Sequence, residues 1–132
     1  MKEVAKDGVV YARLISAEDW KVGLSFFSKD SESVQVGAWQ YDAGTELKRH
    51  IHNEVPRKIV RTQEVLIVQN GSIEATIYDL HENDLETLVA KAGDIMILLD
   101  SGHGYKILED NTKVIEVKNG PYLGAETDRR RF

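Results

Sequence analysis

The chain contains no cysteine among its 132 residues. This absence excludes disulfides, thiolate nucleophiles and thiolate metal ligands, so a bound metal would need histidine nitrogen and carboxylate oxygen. No apolar run approaches the ~18 residues of a transmembrane helix, and the N-terminus lacks the apolar stretch of a signal peptide. The formal net charge of -5 argues against a general nucleic-acid or anionic-membrane binder. We therefore expect one cytoplasmic domain over residues 1–132, with no nucleic-acid or membrane partner.

The chain also lacks a convincing helical stripe, because Ser16–Val22 is short enough to be either a helix or a turn. What it has instead is a series of short β-type runs between turn residues, typical of a β-sandwich or barrel. The predicted strands are Val9–Ile15, Val22–Ser28, Ser33–Tyr41, Thr45–His52, Glu64–Gln69, Ser72–Leu80, Leu85–Lys91, Ile95–Asp100, 104–109 and Lys113–Lys118. Asn70-Gly71 predicts a hairpin, because both positions of a type I′ turn require positive φ.

Two of the four histidines, His50 and His52, stand one residue apart at the end of a predicted strand. Because side chains alternate along a strand, both imidazoles would point to the same face. Neutral imidazoles side by side can share a cation, although an exposed strand carrying two solvated histidines has the same pattern. Lys48 continues this face by the same alternation, so it could reach the same cavity.

Glu64 opens the apolar strand "EVLIVQ" and shares its face with Leu66 and Val68. Those two side chains should be buried, so Glu64 should point inward and need a partner. Coordination of a metal together with His50 and His52 would supply one. His103, in the glycine-flanked loop "SGHGY", could complete a set of three nitrogens and one oxygen, or it could be an ordinary loop histidine.

These residues together resemble the motifs of the cupin superfamily. Gly44, His50, His52, Glu64 and Gly71 occupy the places of its first motif, and Gly93, Asp94 and His103 those of its second. The resemblance covers roughly residues 33–119 and implies an all-β, single-domain, double-stranded β-helix (jelly-roll) barrel with a metal in its mouth. Strands within 9–28 would precede this barrel, and residues 120–132 would form a polar tail, most simply a solvated one. The resemblance also implies a homodimer.

The chain departs from the cupin pattern in three ways. Eleven residues separate His52 from Glu64, where the family has a much shorter gap. The second motif lacks its usual proline, and His103 comes one residue early. The long gap leaves Gln63 as a rival to Glu64 for the inward position, although strand alternation and the spacing to Gly71 favour Glu64.

Three imidazoles and one carboxylate suit a divalent transition metal, which could be Fe, Mn, Zn, Ni or Co. Arg57 and Arg61 lie in the inserted segment, where they and Gln63 could bind an anionic small molecule unless the loop is merely solvated. Tyr105 and Lys48 are the candidate catalytic groups beside the metal.

The first hypothesis is a metal-dependent enzyme, such as an oxygenase, isomerase or lyase, acting on a small anionic or sugar-like metabolite. The alternatives are a non-catalytic sugar- or organic-acid-binding protein and a metal-free sugar isomerase or epimerase that uses His and Tyr.

Overall fold

The computed structural model describes residues 1–132 as an all-β protein whose paired strands are all antiparallel. Its strands are β1 Lys2–Lys6, β2 Val9–Ile15, β3 Gly23–Phe26, β4 Gly37–Gln40, β5 Glu64–Asn70, β6 Ser72–Tyr78, β7 Asp84–Lys91, β8 Ile95–Leu98, β9 Gly102–Ile107 and β10 Lys113–Lys118. A 3-10 turn covers Ala17–Asp19, and a one-turn helix, α1, covers Ala125–Asp128. No helix has the length and apolar character that a membrane crossing requires.

The strands form three sheets. A five-stranded sheet has the order β1-β2-β8-β5-β10, a three-stranded sheet has the order β7-β6-β9, and β3 pairs only with β4. The main core contains alternate residues of β5, β6, β7 and β8, so it lies between the five- and three-stranded sheets. A second cluster, which includes Phe27 and Ala38, covers the opposite face of the large sheet. The two larger sheets therefore pack face to face, with the β3–β4 hairpin behind one of them.

Strand β8 shows how the sequence positions these layers. Its four residues are all apolar and all buried. Met96 and Leu98 belong to the main core, whereas Ile95 and Ile97 belong to the second cluster. Because β8 lies between β2 and β5 and is covered on both faces, its sequence is a continuous apolar run rather than an alternation of apolar and polar residues.

The predicted strands agree with the structure at most places, and two are matched residue for residue: Val9–Ile15 and Lys113–Lys118. The strand predicted at Thr45–His52 is wrong, because residues 41–63 contain neither helix nor strand. No backbone–backbone hydrogen bond involves residues 46–60. Strand β1, which was not predicted, pairs with β2 through the tight turn at Asp7 and Gly8, both with positive φ.

The hairpin predicted at Asn70-Gly71 is also wrong in its pairing. Only Gly71 separates β5 from β6, but the two strands belong to different sheets and do not pair. Of the two turn residues only Gly71 has positive φ, so the turn is not of type I′. A Cβ added at Gly71 would lie 2.2 Å from Thr112 Oγ1, so this corner between sheets requires glycine for both conformation and space.

Candidate functional site

Glu64 lies at the point where the two main sheets meet. It is the first residue of β5, opposite Leu98 of β8 and Lys118 of β10. Glu64 as a whole is only 7% exposed to solvent. The preceding residue, Gln63, is held in place by two side-chain hydrogen bonds. Its amide oxygen accepts from Val34 N at 3.0 Å, and its amide nitrogen donates to Asp100 Oδ1 at 3.3 Å. The Glu64 side chain points inward, as strand alternation predicted, because its carboxylate contacts residues of β9 in the facing sheet.

Three side chains surround the Glu64 carboxylate. His103 Nε2 lies 3.2 Å from Oε2, and Lys118 Nζ lies 2.9 Å from Oε1. The Tyr105 hydroxyl donates to Oε2 over a longer distance of 3.4 Å. His103 and Tyr105 are two residues apart on β9, and their rings stack with centroids 5.2 Å apart. The carboxylate thus links β9 of the small sheet to β10 of the large one.

The charges of this cluster stabilise an ionised Glu64. Burial alone would raise the pKa of its carboxyl, but the hydrogen bonds from His103 and Lys118 outweigh burial and lower that pKa to about 2. Contacts with Glu116 and Glu64 raise the pKa of Lys118 to about 12. Burial and the nearby Glu64 charge raise the pKa of Tyr105, so its hydroxyl stays protonated. The cluster therefore holds an anion, a cation and a neutral phenol near neutral pH.

The hydrogen bond to Glu64 also sets the tautomer of His103. A carboxylate can only accept, so Nε2 carries the hydrogen, and in the neutral ring Nδ1 is left as an acceptor. Nδ1 is buried and has no hydrogen-bond partner. The hydroxyl of Ser101, two residues earlier, is likewise buried and unpartnered.

A cavity of about 560 Å³ opens beside Glu64 and His103. Only two of its fifteen lining residues, Leu80 and Phe132, are hydrophobic. One wall consists of residues 126–130 and Phe132 of the C-terminal segment. The segment predicted as a solvated tail is therefore folded back: Asp128 accepts from Thr62, and Arg130 pairs with Glu82. Phe132 packs edge-on against Tyr78, with centroids 5.2 Å apart.

The structure brings together only part of the predicted metal set. Glu64 and His103 are in contact, but His50 and His52 lie exposed in the irregular 41–63 segment. Their rings are 5.0 Å apart, and His50 Nδ1 contacts the Lys48 carbonyl at 3.1 Å. No group of three or more His, Asp or Glu side chains is close enough to hold a metal. Lys118 already supplies the positive charge at Glu64, so these residues as arranged do not fit a metal.

The other candidate residues divide between the cavity and the exposed segment. Arg61 lines the cavity, with its nearest carboxylate, Asp100, at 3.7 Å. Arg57 and Lys48 are exposed and do not line it. Gln63 and Tyr105 are next to Glu64 rather than in the cavity wall. The sequence reasoning missed Lys118, although its in-register pairing opposite Glu64 would follow once β5 and β10 were known to be neighbours.

Comparison with protein-family models, with curated proteins and with solved structures found no match. The class of protein is therefore described from its fold and its site alone. The chain is an all-β protein of packed antiparallel sheets, with a carboxylate–imidazole–ammonium cluster beside a polar cavity.

Proposed function

We propose that the chain is a cupin-like jelly-roll protein that binds a small polar metabolite beside Glu64 and His103 and performs metal-free acid–base chemistry on it. The connectivity supports the fold: β5, β8 and β10 lie in one sheet and β6, β7 and β9 in the other, so the chain crosses repeatedly between sheets. The observation that carries the function is the Glu64–His103 contact at 3.2 Å, with Nδ1 of His103 left unpartnered.

The proposed chemistry follows from that contact. A neutral His103 accepts a proton at Nδ1 from a bound metabolite and returns it at a neighbouring atom, which is isomerase or epimerase chemistry. The ionised Glu64 orients the ring and stabilises the imidazolium while it lasts. Tyr105 and Lys118 do not line the cavity, so they position Glu64 rather than contact the metabolite.

Metal binding is the second candidate function. Two observations favour it: residues 46–60 form no backbone–backbone hydrogen bonds, and the His50 and His52 rings lie next to each other. Strand β9, which carries His103, is an edge strand with one side unpaired. Movement of the 41–63 segment toward this edge would be needed to bring the two histidines to Glu64, in competition with Lys118.

One thermal-shift screen distinguishes these candidates. The chelator-treated protein is screened against hydroxy acids, sugars and sugar phosphates, and again after addition of Mn, Fe, Co, Ni or Zn. We expect a metabolite to stabilise the chelator-treated protein, by about 2.7 kcal/mol when the metabolite concentration is 100 times its dissociation constant. His103→Ala should abolish the shift, and the His50→Ala/His52→Ala double variant should retain it. Stabilisation that requires metal and is lost in the double variant would instead support metal binding.

The chemical step has its own readout. A metabolite found in the screen is incubated with the protein in deuterated water, and loss of its C–H proton signal is followed by NMR. Exchange that His103→Gln abolishes supports an acid–base enzyme. Binding without any exchange would reduce the proposal to a non-catalytic small-molecule binder.

A homodimer through the β3–β4 hairpin is also proposed. Leu24 and Trp39 are cross-strand partners and Phe26 lies on the same face, with Phe26 58% and Trp39 61% exposed. An apolar patch of this kind is typical of an interface, and a second copy would supply a matching patch by symmetry. Trp39→Ser should shift light-scattering mass from dimer to monomer, whereas Val60→Ser, which removes an exposed apolar side chain elsewhere, should not. A monomeric wild type would contradict the proposal.

A further inference from the structure

We propose that the cavity is specific for small hydroxy carboxylates, with the ligand hydroxyl bound between Ser101 and His103 and a carboxylate bound by Arg129 and Arg61. This inference rests on the proposed function, since it names the substrate class of the same cavity. It joins two independent observations: two buried polar atoms without partners, and two arginines that no carboxylate holds closely.

The hydroxyl subsite is defined by Ser101 Oγ and His103 Nδ1. Both atoms are buried, neither has a hydrogen-bond partner, and both residues line the cavity. Unpaired buried polar atoms are costly, so such atoms normally have a partner. In neutral His103, Nδ1 can only accept, whereas the serine hydroxyl can donate. One ligand hydroxyl satisfies both, because it donates to Nδ1 and accepts from Ser101.

The carboxylate subsite follows from the charges around the cavity. Most of its acids already have partners: Glu64 pairs with Lys118, Asp79 with Lys6 and Glu82 with Arg130, while Asp128 accepts from Thr62. Glu126 alone has no such partner. Among the cations, Arg129 has no ion pair, and Arg61 has only the 3.7 Å contact with Asp100. Guanidinium groups bind carboxylates in a bidentate manner, so these two arginines select an anion.

The C-terminal segment covers the hydroxyl subsite. Gly102 lies between Ser101 and His103, and a Cβ added there would lie 3.1 Å from Cζ of Phe132. The Phe132 ring therefore rests directly on the backbone that presents both polar atoms. Arg129 belongs to the same segment, so a ligand that binds Arg129 would contact the cover itself. Entry of the hydroxyl requires the Phe132 ring to shift from Gly102.

Malate and succinate test the inference, because they differ by one hydroxyl. Titration calorimetry should show that the wild type binds malate about tenfold more tightly than succinate, the scale of one hydrogen bond to otherwise unpaired groups. Ser101→Ala should reduce the preference for malate, because the ligand hydroxyl then keeps only its bond to His103 Nδ1, and it should leave succinate binding unchanged. Arg129→Gln should weaken both acids, whereas Arg131→Gln, whose residue lies outside the cavity wall, should weaken neither.

Equal affinity of the wild type for the two acids would overturn the inference, as would a malate preference that is undiminished in Ser101→Ala. Equal effects of Arg129→Gln and Arg131→Gln would show general charge attraction and would overturn the carboxylate subsite. These results leave the proposed function standing, since the metabolite screen and the exchange measurement do not depend on a hydroxy acid. A screen that finds no metabolite for the cavity would instead remove the proposed function.

Discussion

Glu64→Gln is expected to lower the free energy of unfolding by about 3 kcal/mol at pH 7, because it leaves His103 and Lys118 beside a neutral amide in a buried site. The carboxylate is held at 2.9 Å by Lys118 and at 3.2 Å by His103, and its side chain is 10% exposed. Equilibrium denaturation in urea measures the loss directly. The variant keeps the shape of the side chain, so the loss reports charge rather than packing.

The dependence of this loss on pH follows from the pKa of Glu64. The folded-state pKa is about 2, below the ordinary 4.5, so the stabilisation is present above pH 4.5 and is lost as the pH falls toward 2. That difference in pKa corresponds to roughly 3 kcal/mol, which agrees with the size expected from removing one partner of a buried pair. The wild type and Glu64→Gln should therefore converge in stability as the pH falls through this range.

Glu116→Gln is the matched control for Glu64→Gln. Glu116 Oε1 lies 2.8 Å from the same Lys118 ammonium, but its side chain is 47% exposed. Exposed ion pairs contribute about 0–1 kcal/mol, so this variant should change stability little and show no comparable pH dependence. Equal losses in the two variants, or a Glu64→Gln loss that persists at pH 2, would show that the Glu64 cluster does not stabilise the fold electrostatically.

Most of the strands could be predicted from the sequence because local patterns determine them. Alternation and turn residues placed Val9–Ile15 and Lys113–Lys118 without error. The same patterns could not show which strands pair, because pairing depends on residues distant in sequence. Asn70-Gly71 has the composition of a hairpin turn, yet the chain changes sheets there, since Thr112 packs against Gly71 and β5 pairs with β8 and β10 instead.

The candidate site was predictable only in part for the same reason. The inward direction of Glu64 follows from strand alternation with Leu66 and Val68, and the structure buries all three. The strand predicted at Thr45–His52 does not form, because no neighbouring strand forms hydrogen bonds with residues 46–60. The C-terminal segment that forms one cavity wall has no apolar periodicity that would predict its docking. That docking depends on contacts of Asp128, Arg130 and Phe132 with residues distant in sequence.

Arg13→Met is expected to lower the free energy of unfolding by about 3–5 kcal/mol, the cost of removing one partner of a buried ion pair. Arg13 on β2 is 1% exposed. It binds Glu32 through two hydrogen bonds of 2.7 and 2.8 Å, and its Nε donates to Glu3 at 2.7 Å. Burial would raise the pKa of Glu32, but the Arg13 hydrogen bonds contribute to an overall lowering. Without Arg13, the partly buried Glu32 carboxylate has no ion-pair partner and keeps only the backbone hydrogen bond from Lys29 and the weaker attraction of the Lys29 charge.

A double variant separates the ion pair from simple packing. Arg13→Met/Glu32→Met removes both charges, and replacement of a buried pair by apolar side chains is often neutral or stabilising, so the double variant should regain most of the lost stability. Arg61→Met removes an arginine whose side chain is 50% exposed and should change the free energy of unfolding by less than about 0.5 kcal/mol. If the double variant is as unstable as Arg13→Met, the stabilisation comes from packing of the arginine stem rather than from its charge. The Arg13–Glu32 pair would then not be what ties the 27–36 connection of the β3–β4 hairpin to the large sheet.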